Sequence, residues 1–209
     1  VSMKGGFLTK EGKLPRIPVF VDSPLAVNAT EIFRMHLDLF NKEVADVLEY
    51  DADPFGFNSL RYITNVNQSK ALNNIKEPCV IISASGMMEA GRVKHHIANN
   101  IDNPRNSILS IGYCAPTTLG ARILSGAKEI SIFGMPHEVN AEVFSIDAFS
   151  GHGDSREMAN YLKCQNPEKI KKTFIVHGEY KAQERYSRIL FENGFKDIMM
   201  PKPGEVVRF

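Results

Sequence analysis

Cys79-Val80-Ile81-Ile82-Ser83-Ala84-Ser85-Gly86 is a short apolar run that ends in a turn of small residues. Its length and β-branched content are those of a buried strand, and a helical stretch follows to about Asn99. The unit then repeats. Ser107-Ile108-Leu109-Ser110-Ile111 reads as a strand, Pro116 to Leu124 as a helix stopped by Gly126, and Ile130-Ser131-Ile132-Phe133 as a further strand. Strands and helices alternating in this way predict an α/β fold with a mostly parallel sheet covered by helices.

Working upstream, Ile17-Pro18-Val19-Phe20-Val21 is another strand, and it runs into Asp22-Ser23-Pro24. A capping residue followed by Pro is a helix start, and capping accounts for that tripeptide. The apolar stripe Ile32, Phe33, Leu37, Phe40, Val44, Val47, Leu48 predicts a helix reaching about Tyr50. Residues 51–60 read as loop, Arg61 to Thr64 as a short strand, and 67–75 as a helix. Downstream, Gly134-Met135-Pro136 marks a boundary. A long strand (139–149), a helix (155–163), a strand (173–176), a helix (180–192) and a terminal strand pair are expected beyond it.

With 209 residues, 43% of them hydrophobic, the chain can bury a core as one large domain or two small ones. A net charge of +1 gives no bulk argument for nucleic-acid binding, so any such surface is local. Cys79, Cys114 and Cys164 are an odd count without Cys-x-x-Cys spacing, which disfavours a disulfide scaffold or a cysteine zinc site and suits a reducing, cytoplasmic setting. No run of about 18 apolar residues and no signal peptide is present, so no membrane association is expected. The opening Val-Ser-Met-Lys-Gly-Gly does not look like a natural start, and the chain reads as a fragment of a longer protein.

Two histidines carry the strongest chemical signal. His152 lies in Phe149-Ser150-Gly151-His152-Gly153-Asp154, and His177 in Ile175-Val176-His177-Gly178-Glu179. Each context is strand, glycine turn, helix, which lifts an imidazole to a sheet edge, where α/β enzymes place their chemistry. Flanking glycines let a substrate approach His152 closely, and Asp154 or Ser155 can cap the next helix. Taken singly, the first segment is also a plain capped turn and the second a hydrogen-bonded histidine at a strand end. Only one helix and one strand separate the two, so both rings are expected to face one cleft.

Ser83 to Met88 and Gly112 to Gly120 are further strand-to-helix turns with small hydroxyl residues. Helix N-termini favour anions, so Ser83, Ser85, Gly86, Thr117 and Thr118, with Ser150 and Gly151, are candidates to contact phosphates, and Arg92 would add charge. Capping is the competing explanation for each threonine. No Gly-Lys-Ser/Thr follows Gly86, so this is not a Walker loop, although a self-contained nucleotide-binding domain is a further reading. His95 and His96 read as a helix surface pair.

Taken in order, Asp22-Ser23-Pro24-Leu25-Ala26, Ser83-Ala84-Ser85-Gly86-Met87-Met88, Gly112-Tyr113 with Thr118-Leu119-Gly120, Phe149-Ser150-Gly151-His152 and Val176-His177-Gly178-Glu179 resemble the β-CASP group of RNA-metabolising metallo-β-lactamases. The resemblance implies a Rossmann-like β-CASP domain over residues 1–134. It also implies the C-terminal α/β part of a metallo-β-lactamase fold over 135–209. Members hydrolyse RNA phosphodiesters with two zinc ions (Zn), which activate water and offset phosphoryl charge. By resemblance, His152 is catalytic, contacting the scissile phosphate and helping to protonate the leaving oxygen, and His177 is a zinc ligand. Asp154 and Glu179 are expected to orient those rings.

One departure is decisive. The His-x-His-x-Asp-His motif that supplies most of the family's zinc ligands is absent. A catalytic zinc takes about three protein ligands, so His177 alone cannot hold one. The chain is therefore expected to be the RNA-binding and partly catalytic portion of a zinc-dependent ribonuclease, inactive by itself and completed in cis by an N-terminal metallo-β-lactamase half. A non-catalytic RNA-processing scaffold of the same fold is the alternative. Exposed sheet edges are expected to favour a homodimer.

Overall fold

The computed structural model describes residues 12–13, 15–49, 53–146 and 153–208. The chain packs as two compact units, residues 1–149 and 150–209.

In the first unit, β1 (Val19–Asp22) lies between β2 (Leu60–Tyr62) and β3 (Val80–Ser83), and both pairings are parallel. β4 (Ser107–Ile111) pairs in parallel with β7 (Glu142–Ile146), and β5 (Glu129–Ile132) forms an antiparallel hairpin with β6 (Met135–Glu138). Between these strands run α1 (Pro24–Met35), α2 (Lys42–Leu48), α3 (Val66–Leu72), α4 (Arg92–Asn100) and α5 (Leu119–Leu124). The α/β class with mostly parallel pairing is therefore observed, the hairpin being its antiparallel exception.

The main core of this unit joins α4, α5 and β5 through Ile97, Ile101, Leu119, Ile123, Ile130 and Ile132. Full burial of such a side chain contributes about 1.5–3 kcal/mol. A smaller cluster, Phe20, Ile63 and Leu72, fastens α3 beneath the three-stranded sheet.

The second unit contains α6 (Ser155–Leu162), β8 (Thr173–Phe174), α7 (Tyr180–Glu192) and β9 (Ile198–Met199), with β8 and β9 parallel. Ala159, Ile175, Leu190 and Phe195 form its core.

Several elements depart from their expected bounds. The helix expected to reach Tyr50 is interrupted. Phe40 is extended (ψ 162°), a short 3-10 turn covers Leu37–Leu39, and Asn41 caps α2 by accepting from the Val44 amide. The stripe is continuous, but local capping wins over it. The strand expected over 139–149 is observed as β7 over 142–146, with residues 147–149 outside the described residues. The boundary expected at Gly134-Met135-Pro136 is instead a hairpin, because Phe133-Gly134 turns the chain back so that Met135–Glu138 pairs with β5. α4 begins at Arg92 rather than directly after Gly86, since residues 84–91 form a loop closed by Gly91 at φ 82°. Of the expected terminal strand pair, β9 alone forms among the described residues, beside β8. No helix among the described residues is long and apolar enough to cross a membrane.

Candidate functional site

The β2-β1-β3 order places two crossovers on opposite sides of β1, so its carboxyl end is a point where the winding reverses. Such a crevice is the usual ligand position in open α/β sheets. Asp22 ends β1 there with no exposed surface. Its Oδ1 accepts from Arg92 Nη1 at 2.5 Å, and its Oδ2 accepts from Ser69 Oγ at 2.5 Å. His96 Nε2 lies 2.6 Å from Oδ2, and His96 Nδ1 lies 2.8 Å from Asn73 Oδ1. Burial works to raise the Asp22 carboxyl. The hydrogen bonds from Ser69, His96 and Arg92, with the Arg92 charge, outweigh it and hold the group below the usual carboxylate range.

Asp22 is the residue that the sequence reading missed. Ser23 does cap α1, accepting from the Ala26 amide, and Pro24 does open it. Capping therefore explained its neighbours and concealed the buried acid. The available signal was strand alternation, since Asp22 shares the inward face of β1 with buried Phe20. The surface pair expected at 95 and 96 requires a matching correction. His95 is exposed, whereas His96 is buried against Asp22 and Asn73.

Arg92, expected to add charge beside the turn, points its guanidinium inward. Besides Asp22 it donates to the Ile63 carbonyl at 3.1 Å and the Thr64 carbonyl at 2.8 Å. It thus ties α4 to the carboxyl ends of β1 and β2.

The two hydroxyl-bearing turns meet along the loop that joins Ser83 to Arg92. The Gly120 amide donates to the Met87 carbonyl at 3.1 Å, the Cys114 thiol donates to the Gly86 carbonyl at 3.5 Å, and the Leu119 amide donates to Glu89 Oε1. Contact is so close that a Cβ on Gly120 would lie 2.6 Å from Cys114 Sγ. Ser83 Oγ donates to the Asp22 carbonyl at 2.9 Å and Ser85 Oγ to the Ala90 carbonyl at 3.3 Å. Gly86 and Thr117 are exposed. Thr118 is buried, and its hydroxyl is engaged by the helix, accepting from the Ala121 amide and donating to the Ala115 carbonyl.

In the second unit, Asp154 caps α6. Its Oδ1 accepts from the Arg156 and Glu157 amides at 2.7 and 2.8 Å, while Glu157 Oε2 accepts from the Asp154 amide at 2.9 Å. The Glu157 and Arg156 amides keep its carboxyl below the usual range. His177 is exposed beyond β8 with φ 69°, and Gly178 follows at φ 90°. The Gln183 amide fastens this turn, donating to both of their carbonyls at 3.1 Å. Glu179 stands at the N-cap of α7, its carbonyl accepting from the Ala182 and Gln183 amides. Ser150, Gly151 and His152 lie outside the described residues, and so does the expected meeting of His152 with His177.

Among the described residues, no three His, Cys, Asp or Glu side chains gather as a metal cage. One exposed imidazole does not satisfy an ion that takes three or four protein ligands. The described residues therefore do not form a zinc site by themselves.

Comparison with known proteins agrees with this architecture. The Beta-Casp domain family matches residues 7–123, and the Zn-dependent metallo-hydrolase RNA specificity domain family matches residues 136–201. A ribonuclease of Thermus thermophilus is 29% identical over 195 residues, covering 93% of this chain and 44% of that protein. An RNase J-like protein of Methanocaldococcus jannaschii is 32% identical, covering 87% and 39%. A transcription termination factor of Methanosarcina mazei is 31% identical, covering 83% and 28%. The chain thus spans less than half the length of these relatives. By these matches, the chain belongs to the β-CASP group of RNA-metabolising nucleases with the metallo-β-lactamase fold.

Proposed function

We propose that this chain is the RNA-cradling and partly catalytic portion of a zinc-dependent ribonuclease, completed in cis by an N-terminal metallo-β-lactamase half. The observation that carries the reading is the union of turns 83–91 and 112–120, the first of them anchored at both ends to Asp22 through Ser83 and Arg92. It offers exposed small and polar residues at the carboxyl ends of parallel strands, next to a buried ion pair.

In this reading, Ser83, Ser85, Gly86 and Thr117 line the path of the RNA backbone, joined by Ser150 and Gly151. Thr118 and Arg92 act from beneath as positioning residues. His152 contacts the scissile phosphate and helps to protonate the leaving oxygen. His177 supplies one imidazole to zinc, and Asp154 and Glu179 orient the two rings. The other zinc ligands come from the metallo-β-lactamase half, and the bound zinc would activate water. The functional division falls at 134/135, and the protein works in the cytoplasm.

A second reading, motivated by the absent His-x-His-x-Asp-His motif, is a non-catalytic scaffold of the same fold that holds RNA.

The experiment is a zinc titration of this chain and of a polypeptide that also carries the upstream half, following hydrolysis of labelled single-stranded RNA. The nuclease reading expects tight zinc binding and cleavage only with the upstream half present, and loss of cleavage in His152→Ala and His177→Ala. A longer polypeptide that holds RNA but never cleaves it establishes the scaffold instead.

A further inference from the structure

We infer that Phe133 and His95 form a stacking platform for an unpaired base of single-stranded RNA, one helical turn from the phosphate-lining turn. The inference rests on the RNA-cradling reading above.

The first observation is conformational. β5 and β6 are joined by a two-residue turn, with Ile132 opposite Met135. Both turn residues are left-handed, Phe133 at φ 53° and Gly134 at φ 80°. That geometry defines the I′ hairpin turn, whose favoured sequences are Asn-Gly and Asp-Gly. A bulky aromatic at its first position is a steric outlier.

The second observation is that burial does not account for the ring. Phe133 is 56% exposed, so little of its apolar surface is withdrawn from water. The turn holds an aromatic ring outward at a conformational cost that the hydrophobic effect does not recover.

The third observation is what the ring meets. It stacks on His95, with ring centroids 4.6 Å apart and planes at 29°. Lys94 Nζ stands 5.3 Å from the Phe133 centroid and 3.9 Å from Glu89 Oε2. His95 is itself exposed, so the pair presents aromatic surface to solvent, with the Lys94 ammonium over the Phe133 ring. Stacked aromatic rings beside a cation are the means by which proteins hold unpaired bases.

Placement supplies the fourth observation. α4 begins at Arg92, immediately after the 84–91 loop. His95 lies three residues on, a rise of roughly 4.5 Å along the axis. The platform's His95 therefore sits within one helical turn of the end of the 84–91 loop.

The test is fluorescence anisotropy of this chain with labelled single-stranded oligoadenylate, and with the same oligomer carrying abasic ribose positions. Asn is at home in an I′ turn, so Phe133→Asn keeps the hairpin while removing the ring. Its melting temperature, expected at or above that of the wild type, verifies folding. The platform predicts roughly 5- to 100-fold weaker oligoadenylate binding for F133N. It predicts little change for the abasic oligomer, near wild-type affinity for Phe133→Tyr, and an intermediate loss for His95→Ala. A wild-type chain that binds RNA while F133N binds both oligomers equally well overturns the platform and leaves the RNA-cradling reading intact. A wild-type chain that binds neither oligomer overturns both.

Discussion

Arg92 Nη1 lies 2.5 Å from Asp22 Oδ1, although 70 residues separate them in the chain. This ion pair joins the first helix residue after the 84–91 loop to the carboxyl end of the central strand. Removing one partner of such a buried pair leaves the other charge without compensation. Asp22→Ala is therefore expected to lower folding stability by about 3–5 kcal/mol. Urea unfolding followed by circular dichroism measures this, and a loss below about 1 kcal/mol would show that the pair is dispensable.

Acid sensitivity follows from the same carboxylate. Its folded-state pKa is lowered from the ordinary value of 3.8, so folding favours the ionised form. The stabilisation is fully present above that value and is lost as pH falls through the still lower folded-state pKa. Below about pH 4, wild-type stability is expected to decline more steeply than that of Asp22→Asn, so that the two curves converge. Parallel curves down to pH 2 would remove Asp22 from the account of acid unfolding.

Gly120 is where the two turns touch. A Cβ there would lie 2.6 Å from Cys114 Sγ and 3.0 Å from the Met87 carbonyl oxygen. Gly120→Ala is expected to lower stability by about 1–3 kcal/mol and to weaken single-stranded RNA binding by parting the turns. The double variant Cys114→Ala, Gly120→Ala recovers part of the loss, because it removes the closest clash. Additive effects in a double-mutant cycle would show that the sulfur contact is not what constrains this position.

Tyr186 lies in the second unit beside a cleft of about 650 Å³ whose walls include Met158, Tyr161, Phe174 and Ile175. Its hydroxyl is buried and finds no partner among the described residues, and burial pushes its pKa up. A buried hydroxyl without a hydrogen bond costs about 1–3 kcal/mol. Tyr186→Phe is expected to leave stability unchanged or to raise it by about 1 kcal/mol. A clear drop in the thermal midpoint would reveal a hydrogen bond that forms in solution.

The β4–β7 ribbon presents Leu109 opposite Phe144 and Ile111 opposite Ile146, all four exposed. They share one face of the ribbon, and a continuous apolar face of this kind promotes association. Sedimentation velocity over a concentration series is expected to show self-association, abolished in Leu109→Lys, Phe144→Lys. Monomeric behaviour at every concentration would dismiss the homodimer.

The sequence by itself determined the α/β class and most of the alternating strands and helices, because strand and helix periodicities are local, though β6 and the break before Asn41 were not legible in them. It also marked the turns at 83–86, 112–120 and 177–179 through their small residues. The capping at Asp154 was legible for the same reason, since a cap is formed by residues three apart. What only the tertiary structure decided were relations between distant segments. Asp22 read as part of a cap until Ser69, Arg92 and His96 closed around it. Arg92 read as a surface charge until that carboxylate turned it inward. Phe133 read as the end of a strand until the hairpin set its ring against His95. Local periodicity encodes which residues form an element, whereas the fate of a charge or an exposed ring depends on partners that only folding brings within reach.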